Sequence, residues 1–181
     1  MLFRSLRVTT APVIFSHSSA RALTNVPRNV PDDILAQMPK NGGVVMVTFV
    51  PGFISQEVVE WNRVPAAQRP TNRTPPRATL SQVADHIDHI RKVAGVDHVG
   101  IGGDFDGIED LILGLEDVST YPHLFAELMR RGWSDADLRK LAGENVLRAF
   151  TEAERVSARL RASRPPSTRT IEQLDAAVRR P

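Results

Sequence analysis

Two side chains suited to metal chemistry follow short apolar runs at distant points of the chain. Asp104 comes directly after Val99 to Gly103, and His17 follows the run Val13 to Ser16. Both runs predict buried strands, and parallel strands place their carboxyl ends at one edge of the sheet. An imidazole that binds zinc and a carboxylate that takes a proton from bound water are typical of a metal-dependent hydrolase. A hydrogen-bonded structural histidine and an aspartate in a turn fit the same two positions.

Arg28 is the third candidate for the same edge of the sheet. It lies in the loop after the His17 run, among short residues rather than carboxylates. A planar guanidinium in that place suits a substrate carboxylate, which it can bind through two parallel hydrogen bonds. The alternative is a solvated loop arginine.

The other histidines do not form a metal site by their spacing. His86 and Asp88 fall in the middle of a predicted helix, where residues two apart do not face each other. His86 and His89 lie off the apolar stripe, and we expect both to be solvated. His98 begins the strand that precedes Asp104, which places it roughly 20 Å from the site edge. We expect His123 at the surface.

Strand-like and helix-like segments alternate along the chain, which predicts a parallel α/β sheet with right-handed crossovers. Thr79 and Gln82 form a capping box for a helix that Gly95 ends. Pro51 to Arg77 is predicted as a long connection, either a lid over the site or a surface excursion. The remaining predicted segments are a strand at 44–50 and helices from Pro31 to about 41, from Tyr121 to Arg131, from Ser134 to an interruption near Gly143, and from Asn145 to about Val156. Three strands do not close a barrel, which needs about eight.

Composition predicts one domain and excludes several classes of function. The chain has 181 residues, a net charge of +2 and no cysteine, so it has no disulfides and no thiolate metal site. Its arginines form no basic block, which argues against a nucleic-acid partner. Neither a membrane span nor a signal peptide is evident, so a cytoplasmic location is expected. We assign residues 1–156 to the folded unit and the arginine- and proline-rich residues 157–181 to a disordered tail.

Several motifs together resemble the membrane (renal) dipeptidase family of zinc metallopeptidases. They keep the family's order and spacing from about Ala11 to Val156, and they are Pro12 to Ser19, Arg28 to Asp33, Gly102 to Gly107, Gly114 to Val118 and Gly143 to Phe150. The resemblance implies a TIM-type (β/α)8 barrel of the amidohydrolase kind that hydrolyses dipeptides with two zinc ions. It implies that His17 is a metal ligand and that Asp104 handles the proton of the bridging water and contacts the substrate amine. It also implies that Arg28 binds the C-terminal carboxylate of the substrate.

The sequence lacks the family's remaining metal ligands. A His-x-Asp on the first strand, a bridging Glu on the third and a His on the fifth have no counterpart here. The match therefore corresponds to the C-terminal half of the barrel, strands six to eight with their helices. One hypothesis is a dipeptidase that is weak or inactive alone and needs an N-terminal half or self-association. The others are a non-catalytic remnant and, less favoured because Arg28 suits a free carboxylate, a different amidohydrolase.

Overall fold

A computed structural model describes residues 6–178 as a three-stranded parallel sheet with helices packed against it. The strands are β1 (Ile14–Phe15), β2 (Val44–Val47) and β3 (Val99–Ile101), and they lie side by side in that order. The helices are α1 (Asp32–Leu35), α2 (Met38–Asn41), α3 (Pro51–Ile54), α4 (Gln56–Arg63), α5 (Leu80–Ala94), α6 (Tyr121–Arg130), α7 (Asp135–Arg139), α8 (Asn145–Ser163) and α9 (Ile171–Val178). The prediction of a parallel α/β sheet is confirmed.

One face of the sheet packs against the helices and forms the core. Side chains alternate between the two faces of a strand, so Phe15, Val45, Val47 and Val99 point toward the helices. They are buried in one cluster with the apolar stripe of α5 and with side chains of α6. Each fully buried aliphatic side chain contributes about 1.5–3 kcal/mol, so this face is the main source of stability. Val44, Met46 and Gly100 lie on the opposite face of β2 and β3, where the two side chains of β2 border Gly100.

Helix α5 forms where the sequence predicts it. The Thr79 hydroxyl accepts a hydrogen bond from the Gln82 amide, and the Gln82 side chain accepts one from the Thr79 amide. Gly95 ends the helix at a φ of 91°, a backbone conformation that favours glycine. Local capping and the apolar stripe therefore determine both the ends of this helix and its buried face.

Several predicted segments differ from the structure, and the predicted helix from Pro31 to about 41 is divided into α1 and α2. The connection from Pro51 to Arg77 is helical in its first half, because Pro51 begins α3 and the Ser55 hydroxyl caps α4 by accepting from the Val58 amide. Helix α8 runs past the predicted end near Val156 to Ser163, and α9 forms within the segment assigned to a tail. The boundary at residue 156 stays a prediction.

Candidate functional site

His17 and Asp104 lie together at the carboxyl edge of the sheet. His17 follows β1 and Asp104 follows β3, and the His17 Nε2 atom lies 3.9 Å from the Asp104 Oδ1 atom. The His17 side chain is 44% exposed and the Asp104 side chain 32%. Both residues follow strands of the sheet, and both side chains are partly exposed and open to a ligand.

Gly102 allows this approach across the intervening strand β2. A Cβ atom on Gly102 would lie 2.0 Å from the carbonyl oxygen of Ser16, the residue before His17. No real side chain tolerates that contact with backbone, so only glycine lets the chain after β3 come this close to the chain after β1. Gly102, two residues before Asp104, thus allows the two candidates to lie together.

Asp104 has an unusual backbone conformation that Gly107 accommodates. Its φ of 75° and ψ of 30° are left-handed, and within residues 6–178 it is the one non-glycine residue with a positive φ. Such conformations cost about 1–3 kcal/mol and cluster at functional sites. A Cβ atom on Gly107 would lie 2.3 Å from Asp104 Oδ1, so the carboxylate rests against a position where a side chain would displace it.

An aromatic cluster supports the Asp104 loop from beneath. The rings of Phe49, Phe105 and Tyr121 pack against one another with centroids 5.7–5.8 Å apart. Two of the three pairs are edge-to-face, an arrangement that aromatic rings favour. Burial raises the pKa of the Tyr121 hydroxyl, so this group stays protonated near neutral pH. The cluster gives the residues next to Asp104 a rigid apolar base.

Arg28 is exposed, and its guanidinium lies over the ring of Phe53. The Arg28 Cζ atom is 5.5 Å from the ring centroid, a distance typical of a cation–π contact. Within the described residues Arg28 takes part in no ion pair. One face of the guanidinium therefore lies against an aromatic ring, and its hydrogen-bond donors pair with no carboxylate among residues 6–178.

The segment from Ser18 to Val30, which contains Arg28, is a closed loop that the buried Asn29 ties together. A parallel bridge joins Ala20 to Val30, and the Asn29 side chain accepts from the Ser19 amide. The Asn29 Nδ2 group donates to the carbonyl oxygens of Thr24 and Phe53. Asn29 thus ties the loop after β1 to the helix that carries the Phe53 ring.

His86 is buried, so the prediction that it is solvated was wrong. It is 1% exposed in α5, and its ring is hydrogen-bonded to the backbone at Ala20 and Ile54. Burial lowers the pKa of His86 from 6.5 to about 4, which keeps the ring neutral near neutral pH.

The other histidines lie away from the site. His89 was also predicted to be solvated, but it is partly covered and pairs with Asp32 at 2.8 Å. His98 is bonded to the Gly43 carbonyl near the amino ends of β2 and β3, away from Asp104 as expected. His123 is exposed, as predicted.

The described residues do not complete a zinc site. Among them, no group of three or more His, Cys, Asp or Glu side chains could hold a metal ion. A structural or catalytic zinc site in a protein needs three or four protein ligands, whereas His17 and Asp104 offer two donors.

The connection after α4 borders a cleft of about 570 Å³. Its lining includes Trp61 of α4, Arg69 and Arg77 of the connection, and Glu109 and Asp110 of the loop after Asp104. The Arg69 guanidinium lies over the Trp61 ring at 5.8 Å. Whether this connection acts as a lid stays a prediction. No helix within the described part of the chain is long and apolar enough to cross a membrane.

Comparison with known proteins identifies relatives over most of this chain. Dipeptidase 3 of Macaca fascicularis is 46% identical over 165 residues, which are 91% of this chain and 30% of that protein. The probable dipeptidase PvdM from Pseudomonas aeruginosa superimposes with a TM-score of 0.72 and 29% identity, covering 85% of this chain and 48% of that one. A metallopeptidase from Rhodobacter sphaeroides, liganded with a phosphinate mimic of the dipeptide L-Ala-D-Ala, superimposes with a TM-score of 0.66 and 30% identity. This match covers 81% of this chain and 38% of that one.

The chain thus spans about a third of the curated relative and less than half of the solved structures it resembles. The family model of membrane dipeptidases matches residues 1–164, which include His17, Arg28 and Asp104. This chain belongs to the membrane dipeptidase family, peptidase family M19.

Proposed function

We propose that this chain is the C-terminal half of the barrel of a zinc-dependent dipeptidase and supplies three groups of its active site. In this proposal β1, β2 and β3 are strands six, seven and eight of a (β/α)8 barrel. The observation that carries it is the 3.9 Å approach of His17 and Asp104 at the carboxyl edge of a parallel sheet. The dipeptidase names of the relatives support the reaction class.

Asp104 is the proton-handling group in this proposal. Hydrolysis of a dipeptide joins a water oxygen to the carbonyl carbon, breaks the C–N bond and requires a proton on the leaving amine. A carboxylate that takes the proton from water and passes it to the nitrogen balances both steps. Asp104 suits this role because its carboxylate is partly exposed and held in place by its loop. A carboxylate there can also contact the α-amine of the substrate.

Arg28 binds the C-terminal carboxylate of the dipeptide. Its guanidinium is stacked on Phe53, which limits its motion without occupying its N–H donors. A charged, bidentate pair with a carboxylate contributes about 1.5–3 kcal/mol to binding. Arg28 thereby favours substrates that end close to the scissile bond.

His17 is one metal ligand in this proposal, and further ligands must come from outside the described residues. The two-donor site equally favours a second candidate, a non-catalytic barrel remnant that binds zinc weakly. An N-terminal half, or a second copy of this chain, would complete the site under the first candidate only.

A chimera with a solved relative separates the two candidates. This chain replaces the matching segment of the Rhodobacter sphaeroides metallopeptidase, and hydrolysis of L-Ala-D-Ala is measured with added zinc. We expect an active chimera in which Asp104→Asn lowers kcat by about 10²–10⁴-fold. Arg28→Met should raise KM by about 10–100-fold, because it removes the carboxylate partner. His17→Ala should abolish activity, whereas His123→Ala at an exposed position should leave it unchanged.

The same assay on the chain alone tests whether it forms a working site by self-association. Activity that is lost in the His17→Ala variant would mean that copies of the chain complete each other's sites. A chimera that folds with the relative's thermal stability and hydrolyses no dipeptide would refute the dipeptidase assignment and favour the remnant.

A further inference from the structure

Each backbone amide of the three residues after His17 donates a hydrogen bond. The Ser18 amide donates to the Met46 carbonyl of β2, at 3.2 Å. The Ser19 amide donates to the Asn29 side chain, and the Ala20 amide donates to His86 Nδ1, both at 3.0 Å. Of these three acceptors, His86 is the one that comes from a helix, α5.

The hydrogen bonds of His86 determine which ring nitrogen carries the proton. Nε2 lies 3.0 Å from the Ile54 carbonyl oxygen and must donate to it. Nδ1 is then free of hydrogen and accepts from the Ala20 amide. The pKa of about 4 that results from burial keeps this neutral tautomer at neutral pH. Both ring nitrogens are satisfied by backbone groups of segments that carry site residues, and the Thr24 hydroxyl also lies 3.4 Å from Nε2.

We propose that His86 is a positioning residue that fixes His17 relative to Asp104 and Arg28 relative to Phe53. The proposal rests on the function proposed above. Through Ala20, the ring holds the segment three residues beyond His17. Through Ile54, it holds the residue next to Phe53, whose ring supports Arg28.

If the role of His86 were purely structural, replacing His86 and replacing His98 should have the same effect on the pair formed by His17 and Asp104. The His98 ring also binds a backbone carbonyl, that of Gly43 at 2.8 Å, but near the amino ends of β2 and β3. Loss of either ring should lower stability by a similar amount. Only loss of the Ala20 bond should loosen the pair formed by His17 and Asp104.

Two polar variants separate the functions of the two ring nitrogens. In His86→Asn, the side-chain oxygen takes the place of Nδ1 and can accept from Ala20. In His86→Gln, the side-chain nitrogen takes the place of Nε2 and can donate to Ile54, while the Ala20 amide loses its acceptor. Each keeps one hydrogen bond, so the pair is matched for polarity and for the number of bonds lost. His98→Leu serves as the control at the other end of the sheet.

The measurement is a double-mutant cycle read by NMR on the chain itself. The change in the His17 Hε1 chemical shift caused by Asp104→Asn reports how closely the two side chains approach. We expect this change to fall about two-fold or more in His86→Gln and to stay within about a fifth of the parent value in His86→Asn and His98→Leu. Equal changes in the Asn and Gln variants, or an equal loss in His98→Leu, would overturn the positioning role. So would the absence of any effect of Asp104→Asn on His17 in the parent chain.

A second measurement requires no variant. The Ala20 amide should exchange with solvent as slowly as the neighbouring Arg21 amide, which is bonded to the Val30 carbonyl. Free exchange at Ala20 would remove the contact on which the proposal depends. Neither measurement uses catalysis, so a failed positioning of His17 and Asp104 is distinguished from a failed dipeptidase assignment, which the chimera tests.

Discussion

Acid should destabilise the folded chain through a single buried imidazole. Burial lowers the pKa of His86 from 6.5 to about 4 in the folded chain, and the unfolded chain restores the ordinary value. The unfolded state therefore binds more protons between these two pH values. The stability contribution is fully present above pH 6.5, decreases as the pH falls toward 4 and is lost below it. At about 1.4 kcal/mol for each pH unit, the difference amounts to about 3 kcal/mol.

Urea unfolding at a series of pH values from 7.5 to 4 measures this loss directly. The parent chain should lose about 3 kcal/mol of unfolding free energy more than His86→Gln over that range. His98→Gln should retain the parent pH dependence, because His86 stays in place. Asp97 acts at lower pH, since its hydrogen bond to Lys140 lowers its pKa from 3.8. If the His86→Gln variant loses as much free energy between pH 7.5 and 4 as the parent, the account of His86 is wrong.

Three substitutions test other parts of the structure. Arg131→Met should lower the unfolding free energy by about 1–3 kcal/mol in urea, because it leaves three carboxylates without their shared guanidinium; an unchanged midpoint would contradict this. Asn145→Ala should cost about 1–3 kcal/mol by freeing two backbone carbonyls, and a loss under about 0.5 kcal/mol would show that water replaces them. Gly107→Ala should displace the Asp104 carboxylate by about 1 Å and lower chimera activity by about 100-fold without changing the melting temperature. Full activity in that variant would exclude a fixed position for the Asp104 carboxylate.

The sheet and helix α5 follow from local sequence. The continuous β-branched run at 44–50 predicts a strand that is covered on both sides, and β2 lies in it. The short apolar run from Val99 to Ile101 likewise predicts β3. The Thr79 capping box and the Gly95 stop determine α5 without help from distant contacts. Local sequence therefore suffices to predict these elements, because their own residues determine where they begin and end.

The first half of the connection after β2 was missed because its prolines dominate the composition. Pro51 begins a helix rather than breaking one, and Ser55 starts the next by capping it. The other prolines of this segment all lie beyond Arg63, where α4 has ended. The position of each proline, rather than the number of prolines, predicts where this segment is helical.

The burial of His86 had a signal in the sequence. His86 lies three residues after Val83 and four before Ile90, both buried on the apolar stripe of α5, so the helical repeat places it beside that stripe. What the repeat cannot supply is the pair of backbone groups that make burial of a polar ring acceptable. Ala20 and Ile54 reach it from segments far away in the chain.

The approach of His17 and Asp104 depends on the backbone before it depends on any ligand. Strand order places their ends at one edge, and the missing side chain of Gly102 brings the two segments into contact. The left-handed conformation of Asp104 then aims its carboxylate, and Gly107 leaves room for it. These constraints are all backbone features of the described residues, and they bring the two side chains to one edge of the sheet. Under the proposed function, a partner segment would add metal ligands to a pair that these contacts already bring together.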